Sequence, residues 1–196
     1  NISAIFLLLK YFNLIKVKII VRQPNIIEKS LGGNLKLYIL KIIYKFFIKF
    51  TDAVIVTSEF MRDEILKYHL KREKVFLIRN PISVEETRKN ITPVRLNTNN
   101  LTLIFVGRLV YQKGIDRVLH LLAINKNIEL IVIGEGNFKI DLLKKAKHLN
   151  IEDKVKFLGK ILKPYDLVAG ADYFILPSRW EGLPNCVLES LALGTP

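Results

Sequence analysis

Leu101-Thr102-Leu103-Ile104-Phe105-Val106 runs straight into Gly107-Arg108-Leu109-Val110-Tyr111-Gln112-Lys113-Gly114, and a helical pattern over 115–122 follows. A nearly unbroken apolar run of this length, ended by glycine, predicts a strand buried on both faces. Such strands belong to parallel sheets with helices on each side. The rhythm then repeats downstream. Residues 128–133 predict a strand, Gly134-Glu135-Gly136 a turn and 138–149 a helix. Residues 155–158 predict a short strand, with a helical piece after Pro164. Residues 173–176 predict a strand, 177–184 a loop and 185–193 a helix. Four apolar strands alternating with helices predict an α/β domain with a covered parallel sheet. Its ligands should sit beyond the carboxyl ends of the strands, where the loops opening at Gly107, Gly134 and Pro177 can converge.

Upstream the signals are sparser. Residues 17–21 predict a buried strand ending at Arg22-Gln23-Pro24, and Leu31-Gly32-Gly33-Asn34 a turn or loop. A long helix is expected over 35–50 and a strand over 53–56. Thr57-Ser58 supplies an N-cap for a helix through about Leu70. Residues 75–78 predict a further strand, stopped by Asn80-Pro81. The polar stretch 83–100, with Pro93 and several Asn, reads as a linker. The helix 35–50 is apolar around most of its circumference, with Lys41, Lys45 and Lys49 on one narrow stripe. That predicts burial on more than one side; the alternative is a membrane interface with the lysines at the headgroups.

The composition limits the function classes. The chain has 196 residues, 31 Lys+Arg and 18 Asp+Glu, for a net charge of +13, and is 50% hydrophobic, which excludes intrinsic disorder. Its one cysteine, Cys186, excludes an intrachain disulfide and a cysteine-based zinc site, so the chain reads as cytosolic or redox-indifferent. The early apolar run 2–9 is far short of the roughly 20 residues that span a bilayer. Residues 1–100 carry 18 basic and 8 acidic side chains, whereas 101–196 carry 13 and 10, so the positive charge is concentrated in the first half. That half is expected to meet something anionic. The chain starts at Asn1 and stops at Gly194-Thr195-Pro196, just after a helical pattern, so a fragment is expected.

Two stretches carry candidate chemistry. Residues 107–114 are neither a P-loop nor a Gly-x-Gly-x-x-Gly turn. They still hold the parts of an anion site: glycines, a helix start, and the cations Arg108 and Lys113. A guanidinium fork and a mobile ammonium together suit a diphosphate, though both can equally be solvated surface charges. Glu181-Gly182-Leu183-Pro184-Asn185-Cys186-Val187-Leu188-Glu189 places two carboxylates eight positions apart, Glu181 in a loop and Glu189 in the next helix. A carboxylate accepts from both hydroxyls of a vicinal diol, as on ribose, and Gly182 leaves room for a ligand. Pairing with the helix dipole is the plainer reading of Glu189. His69, His120 and His148 lie far apart and read as ordinary boundary histidines, Cys186 as a packed thiol, and Trp180 as a packing or stacking ring.

Taken in order, Gly107-Arg108-Leu109, Gln112-Lys113-Gly114, Ile133-Gly134-Glu135-Gly136, Phe157-Leu158-Gly159, Ser178-Arg179-Trp180-Glu181-Gly182-Leu183-Pro184-Asn185 with Glu189, and Gly194-Thr195-Pro196 form a recognisable series. It closely resembles the donor half of retaining, family-4-type (group 1) glycosyltransferases of the GT-B fold. The segments Ala53 to Ser58 and Val75 to Pro81 are similar to the close of that family's first domain.

The resemblance implies two Rossmann-like domains with parallel sheets, both incomplete in this chain. Residues 1–82 would be the C-terminal part of the acceptor-side domain, 83–100 the linker and 101–196 the donor-binding domain. It implies transfer of a sugar, with retention, from a nucleotide-diphosphate donor (a UDP-sugar) to a glycan or lipid-linked acceptor in cell-surface polysaccharide or glycolipid assembly. Arg108, Lys113 and Glu181 are the implied catalytic residues. Gly107, Gly134, Gly136, Gly182, Leu183, Pro184 and Glu189 are the implied donor-binding ones, with Glu189 on the ribose. No cofactor, metal or nucleic-acid partner is expected. A cytoplasmic enzyme is implied, and peripheral contact with an anionic membrane at its inner face stays open. This stretch by itself is expected to be inactive. A non-catalytic nucleotide- or nucleic-acid-binding module is the alternative function.

Overall fold

The computed structural model describes residues 2–26, 35–95 and 99–196. The turn expected at 31–34 lies outside the described residues. The chain divides into two compact units, Asn1–Asn80 with Trp180–Leu183, and Pro81–Arg179 with Pro184–Pro196.

In the first unit the early apolar run forms a helix, α1 (Ile2–Tyr11), which sequence reading set aside as too short to span a membrane. Then follow β1 (Ile20–Arg22), α2 (Leu35–Phe47), which tightens into the 3-10 turn Ile48–Phe50, and β2 (Ala53–Val56). The unit closes with α3 (Glu59–Leu66) and β3 (Val75–Leu77). The three strands are parallel in the order β1-β2-β3. β1 starts three residues later than the apolar run suggests, because its register against β2 begins at Ile20 opposite Ala53. Thr51 and Asp52 tie the approach to β2. The buried Thr51 hydroxyl donates to the Ile19 carbonyl at 2.7 Å, and the Asp52 carboxylate accepts from the Ile19 amide at 2.6 Å and from Lys10. Ser58 caps α3 as expected, accepting from the Met61 amide at 3.3 Å. That helix ends four residues early, in a turn whose His69 has a left-handed φ of 59°. The core of the unit is Leu7, Val21, Tyr44, Ile48, Val54, Val56, Met61 and Ile65.

Helix α2 is buried along one face and exposed along another, not buried on more than one side as its apolar sequence predicts. Tyr44 and Ile48 are buried in the core, while Tyr38, Ile39, Ile42 and Phe46 are about half exposed or more. The ammonium of Lys49 lies 4.1 Å from the centroid of the Phe46 ring. The Lys41 side chain lies outside the described residues.

The second unit follows the predicted alternation closely. It contains α4 (Val84–Arg88), β4 (Leu101–Val106), α5 (Ile115–Ile124) and β5 (Ile128–Ile133). It continues with α6 (Lys139–His148), β6 (Val155–Gly159), α7 (Tyr165–Ala169), β7 (Tyr173–Phe174) and α8 (Asn185–Leu193). All strand pairs are parallel, in the order β6-β5-β4-β7. Side-chain alternation divides the core between the two faces of the sheet. Leu103, Phe105, Leu130 and Val132 pack with Leu119, Leu122 and Leu142, while Ile104, Ile131 and Ile133 pack with Val168.

The stretch expected as a linker is held to the second unit. Ser83 caps α4 by accepting from the Glu86 amide at 3.2 Å, and α4 packs on α8, where the Arg88 guanidinium donates to the Ala192 carbonyl. Farther on, the Thr92 amide donates to the Asp166 carboxylate and the Val94 amide to the Asp166 carbonyl, both at 2.9 Å. A five-residue helix is too short to write a periodicity, and Asp166 lies some seventy residues away, so neither anchor was legible locally.

Candidate functional site

Three loops leave the carboxyl ends of β4, β5 and β6 and are stitched together by main-chain hydrogen bonds. The Gly107 amide donates to the Ile133 carbonyl at 2.9 Å, the Leu109 amide to the Glu135 carbonyl at 2.9 Å, and the Gly134 amide to the Gly159 carbonyl at 2.7 Å. Such closeness requires glycine. Gly134 has φ of 143°, and a Cβ there would stand 1.8 Å from the Gly107 carbonyl oxygen. One on Gly136 would stand 2.2 Å from the Leu109 carbonyl oxygen. Between the loops opens a cleft of about 400 Å³ lined by Val106, Gly107, Arg108, Ile133, Gly134, Glu135, Lys160 and Ile161. Val106, Ile133 and Ile161 give it apolar lining and Arg108, Lys160 and Glu135 give it charge; Glu135 also pairs with Lys139 at 2.9 Å. The cleft lies along the carboxyl edge of the sheet, the edge on which open parallel sheets take ligands.

The two predicted cations belong to this loop. Arg108 is exposed, and no acid pairs with it among the described residues. Lys113 ends the 3-10 turn Tyr111–Lys113, and its Cε lies 3.7 Å from the point where a Cβ on Gly107 would stand. Both cations therefore border Gly107. Glu189 sits in the middle of α8, half-buried, and burial pushes its carboxyl group up from the usual range. Nearby Tyr165, on α7, is raised by burial and by the Glu189 charge. Pro184 precedes the first residue of α8.

The acidic loop divides between the units. Glu181, Gly182 and Leu183 group with the first, and Arg108, Lys113, Gly134, Gly136, Pro184 and Glu189 with the second. Within the first unit the space beside Gly182 is already filled. A Cβ there would stand 2.5 Å from the Pro24 carbonyl oxygen and 3.0 Å from the Met61 sulfur, so packing accounts for this glycine. The Leu183 carbonyl accepts from the Asn80 amide group at 2.8 Å, and Asn80 accepts from Arg22 at 2.7 Å.

Two features escaped the sequence reading. Lys160 and Ile161 line the cleft; their signal was position alone, just past the end of a predicted strand. Arg179, quoted within a motif but given no task, makes a two-pronged ion pair with Asp116. No local pattern joins residues 63 positions apart. The three histidines are exposed, and among the described residues no group of His, Cys, Asp or Glu can hold a metal ion.

A family model described as Glycosyl transferases group 1 matches residues 86–196, and a second, Glycosyltransferase Family 4, matches residues 28–86. The chain belongs to the group 1 glycosyltransferases. This glycosyltransferase chain is 28% identical over its whole length to an uncharacterized glycosyltransferase of Methanocaldococcus jannaschii, covering 51% of that protein. It is 31% identical over 80% of its length to the alpha-monoglucosyldiacylglycerol synthase of Streptococcus pneumoniae, covering 39% of it. A Campylobacter jejuni N-acetylgalactosaminyltransferase, named for a diphospho-undecaprenol substrate, is 31% identical over 67% of the chain and is covered for 36%. The chain thus spans about half the length, or less, of the curated relatives it matches. Among solved structures, Anabaena HepE in complex with UDP-glucose superposes with a TM-score of 0.77 at 17% identity over 99% of this chain and 56% of that one. Sucrose-phosphate synthase of Thermosynechococcus elongatus does so at 0.78 and 18%, over 95% and 51%. The fold is that of the GT-B glycosyltransferases, α/β with parallel sheets.

Proposed function

We propose that the chain is the middle of a retaining glycosyltransferase that moves a sugar from a UDP-sugar to a glycan or lipid-linked acceptor. In this reading residues 1–82 end the acceptor-side domain and 101–196 bind the donor. The observation that carries the reading is the glycine-walled cleft beyond β4 and β5 with Arg108 and Lys113 beside Gly107. The nucleotide lies against the Gly134 to Gly136 turn, with its diphosphate on Arg108 and Lys113. Glu189 takes the ribose hydroxyls and Glu181 faces the transferred sugar. As the bond between sugar and phosphate breaks, negative charge grows on the departing diphosphate. Cations already in place stabilise that charge without reorganising, so the gain falls on the transition state. The UDP complexes of the HepE neighbour and the lipid-linked substrate in the Campylobacter relative's name support the donor and acceptor classes.

The test is sugar transfer by the full-length protein. Lys113→Ala and Glu189→Ala should each lower kcat/KM by about a hundredfold or more. Rates equal to the parent in both variants would overturn the site. Residues 1–196 alone should show no turnover.

Peripheral contact with an anionic membrane is part of the same proposal. The exposed apolar face of α2, flanked by Lys45 and Lys49, supports it, as does the excess of 18 basic over 8 acidic side chains in residues 1–100. Among the described residues no helix is long and apolar enough to cross a membrane.

A further inference from the structure

Lys113 ends a single 3-10 turn, Tyr111–Lys113, and so short a turn has little stability of its own. Within it the Lys113 amide reaches the Val110 carbonyl at 2.9 Å, and the Gly114 amide the Tyr111 carbonyl at 3.3 Å. A set of anchors also reaches it from far along the chain. The Arg179 amide donates to the Gln112 carbonyl at 2.7 Å, and its Nη1 donates to the Tyr111 carbonyl at 2.7 Å. The same guanidinium grips both oxygens of Asp116, at 2.8 and 2.6 Å. Its plane lies over the Tyr111 ring, 3.8 Å from the centroid, and that ring meets Phe138 edge-on with centroids 6.0 Å apart. One residue therefore occupies two consecutive carbonyls of the turn, Gln112 through its main chain and Tyr111 through its side chain, and the same side chain holds an acid in the first turn of α5 and an aromatic face. The ion pair is mostly shielded from solvent, and Arg179 holds the Asp116 carboxyl below the usual range.

We infer that Arg179 is a positioning residue for donor binding, a clamp that fixes the Tyr111–Lys113 turn and through it the Lys113 ammonium. The inference rests on the proposed role of Arg108 and Lys113 at the diphosphate. Only arginine fills this place, because three side-chain N–H···O bonds from its two terminal nitrogens and its stacking on the Tyr111 ring are made at once. A lysine keeps the charge yet cannot grip both Asp116 oxygens, reach the Tyr111 carbonyl and stack together.

The clamp acts on the diphosphate and not on the base or ribose, which gives a discriminating readout. In the full-length protein, affinities for UDP and for uridine are measured by calorimetry for the parent, Arg179→Lys and Asp116→Asn. Circular dichroism checks that each is folded. Loosening the turn should cost at least about tenfold in UDP affinity while uridine affinity stays within about twofold. In turnover the donor KM should rise with the acceptor KM unchanged. Should Arg179→Lys fail to fold, Asp116→Asn and Tyr111→Leu test the same clamp from its other sides. UDP affinity unchanged in the folded variants, or UDP and uridine weakened together, would overturn the clamp. A parent protein that binds UDP no better than uridine would instead overturn the diphosphate role of Arg108 and Lys113.

Discussion

In the second unit Phe105, Leu119 and Leu130 are wholly buried between a four-stranded sheet and its helices. In the first unit Ile5, Phe12, Leu14 and Ile20 are each more than half exposed, around a sheet of three short strands. Both units are rich in leucine, isoleucine and phenylalanine, so content does not separate them. Strongly exposed apolar side chains occur in both, Leu162 and Ile124 of the second unit among them. What separates them is the sheet: four parallel strands with an apolar cluster on each face in the second unit, three short strands with one described cluster in the first. The charge follows the same division: residues 101–196 carry 13 basic and 10 acidic side chains, residues 1–100 carry 18 and 8. On the proposed reading, the half that takes a diphosphate needs only a few cations at fixed points. The other half combines a broad positive field with apolar surface, a pairing that suits an interface.

The sharpest way to break this contrast is to truncate one phenylalanine in each unit. Phe105→Ala removes a ring from the double-sided core and should cost about 4 kcal/mol in chemical denaturation. Phe46→Ala, at a half-exposed position of α2 where the ring meets Tyr11, Phe47 and Phe50, should cost about 1 kcal/mol and yet weaken sedimentation with anionic phosphatidylglycerol vesicles. Equal destabilisation by the two changes would erase the distinction. Vesicle binding unaltered by Phe46→Ala would remove the membrane role from α2.

A smaller effect tests how tightly the loops beyond β4 and β5 are drawn together. Gly134→Ala forces a side chain onto the Gly107 carbonyl at a φ of 143° and should cost about 2 to 3 kcal/mol. Thermal denaturation like that of the parent would mean that the loops separate without penalty.

The smallest effect has the opposite sign. Burial raises the Glu189 carboxyl in the folded state. A raised acid is penalised when ionised: the penalty is absent below the unfolded pKa, grows as pH rises through the folded one, and is fully present above it. Glu189→Gln should therefore raise the Tm slightly at pH 7, with the gain vanishing in acid, while UDP affinity falls. A lowered Tm at neutral pH would show that the charge is stabilising where it stands, against the burial account.

Legibility followed the same division as packing. The bounds of β4, β5 and α8 coincide with the predicted ones because apolar runs buried on two faces stop abruptly at Gly107, Gly134 and Gly194. β1 was displaced, and α1 was overlooked, because few residues there are patterned by a covering layer. At the candidate site the chain-local signs, Gly107 with Arg108 and Lys113, and Glu189 within α8, were readable from residue type and position. The contacts that organise them were not. Arg179 with Asp116, Asp166 with the amides of Thr92 and Val94, and Pro24 against Gly182 are all pairings made by the fold across long separations. Gly182 shows the cost: its small size was read as space for a ligand, and a carbonyl fills that space.

The short helix α4 and the strand-like stretch after it, fastened to α8 and Asp166, have a practical consequence for recombination. Anyone exchanging donor-binding halves between related transferases would be tempted to splice at Leu101, where the first strand begins. A seam there would leave Arg88 and the amides of Thr92 and Val94 on one parent and Ala192 and Asp166 on the other. Joining the parents just ahead of Pro81 keeps every one of those bonds within a single lineage, so the movable cassette is longer at its front than its sheet suggests.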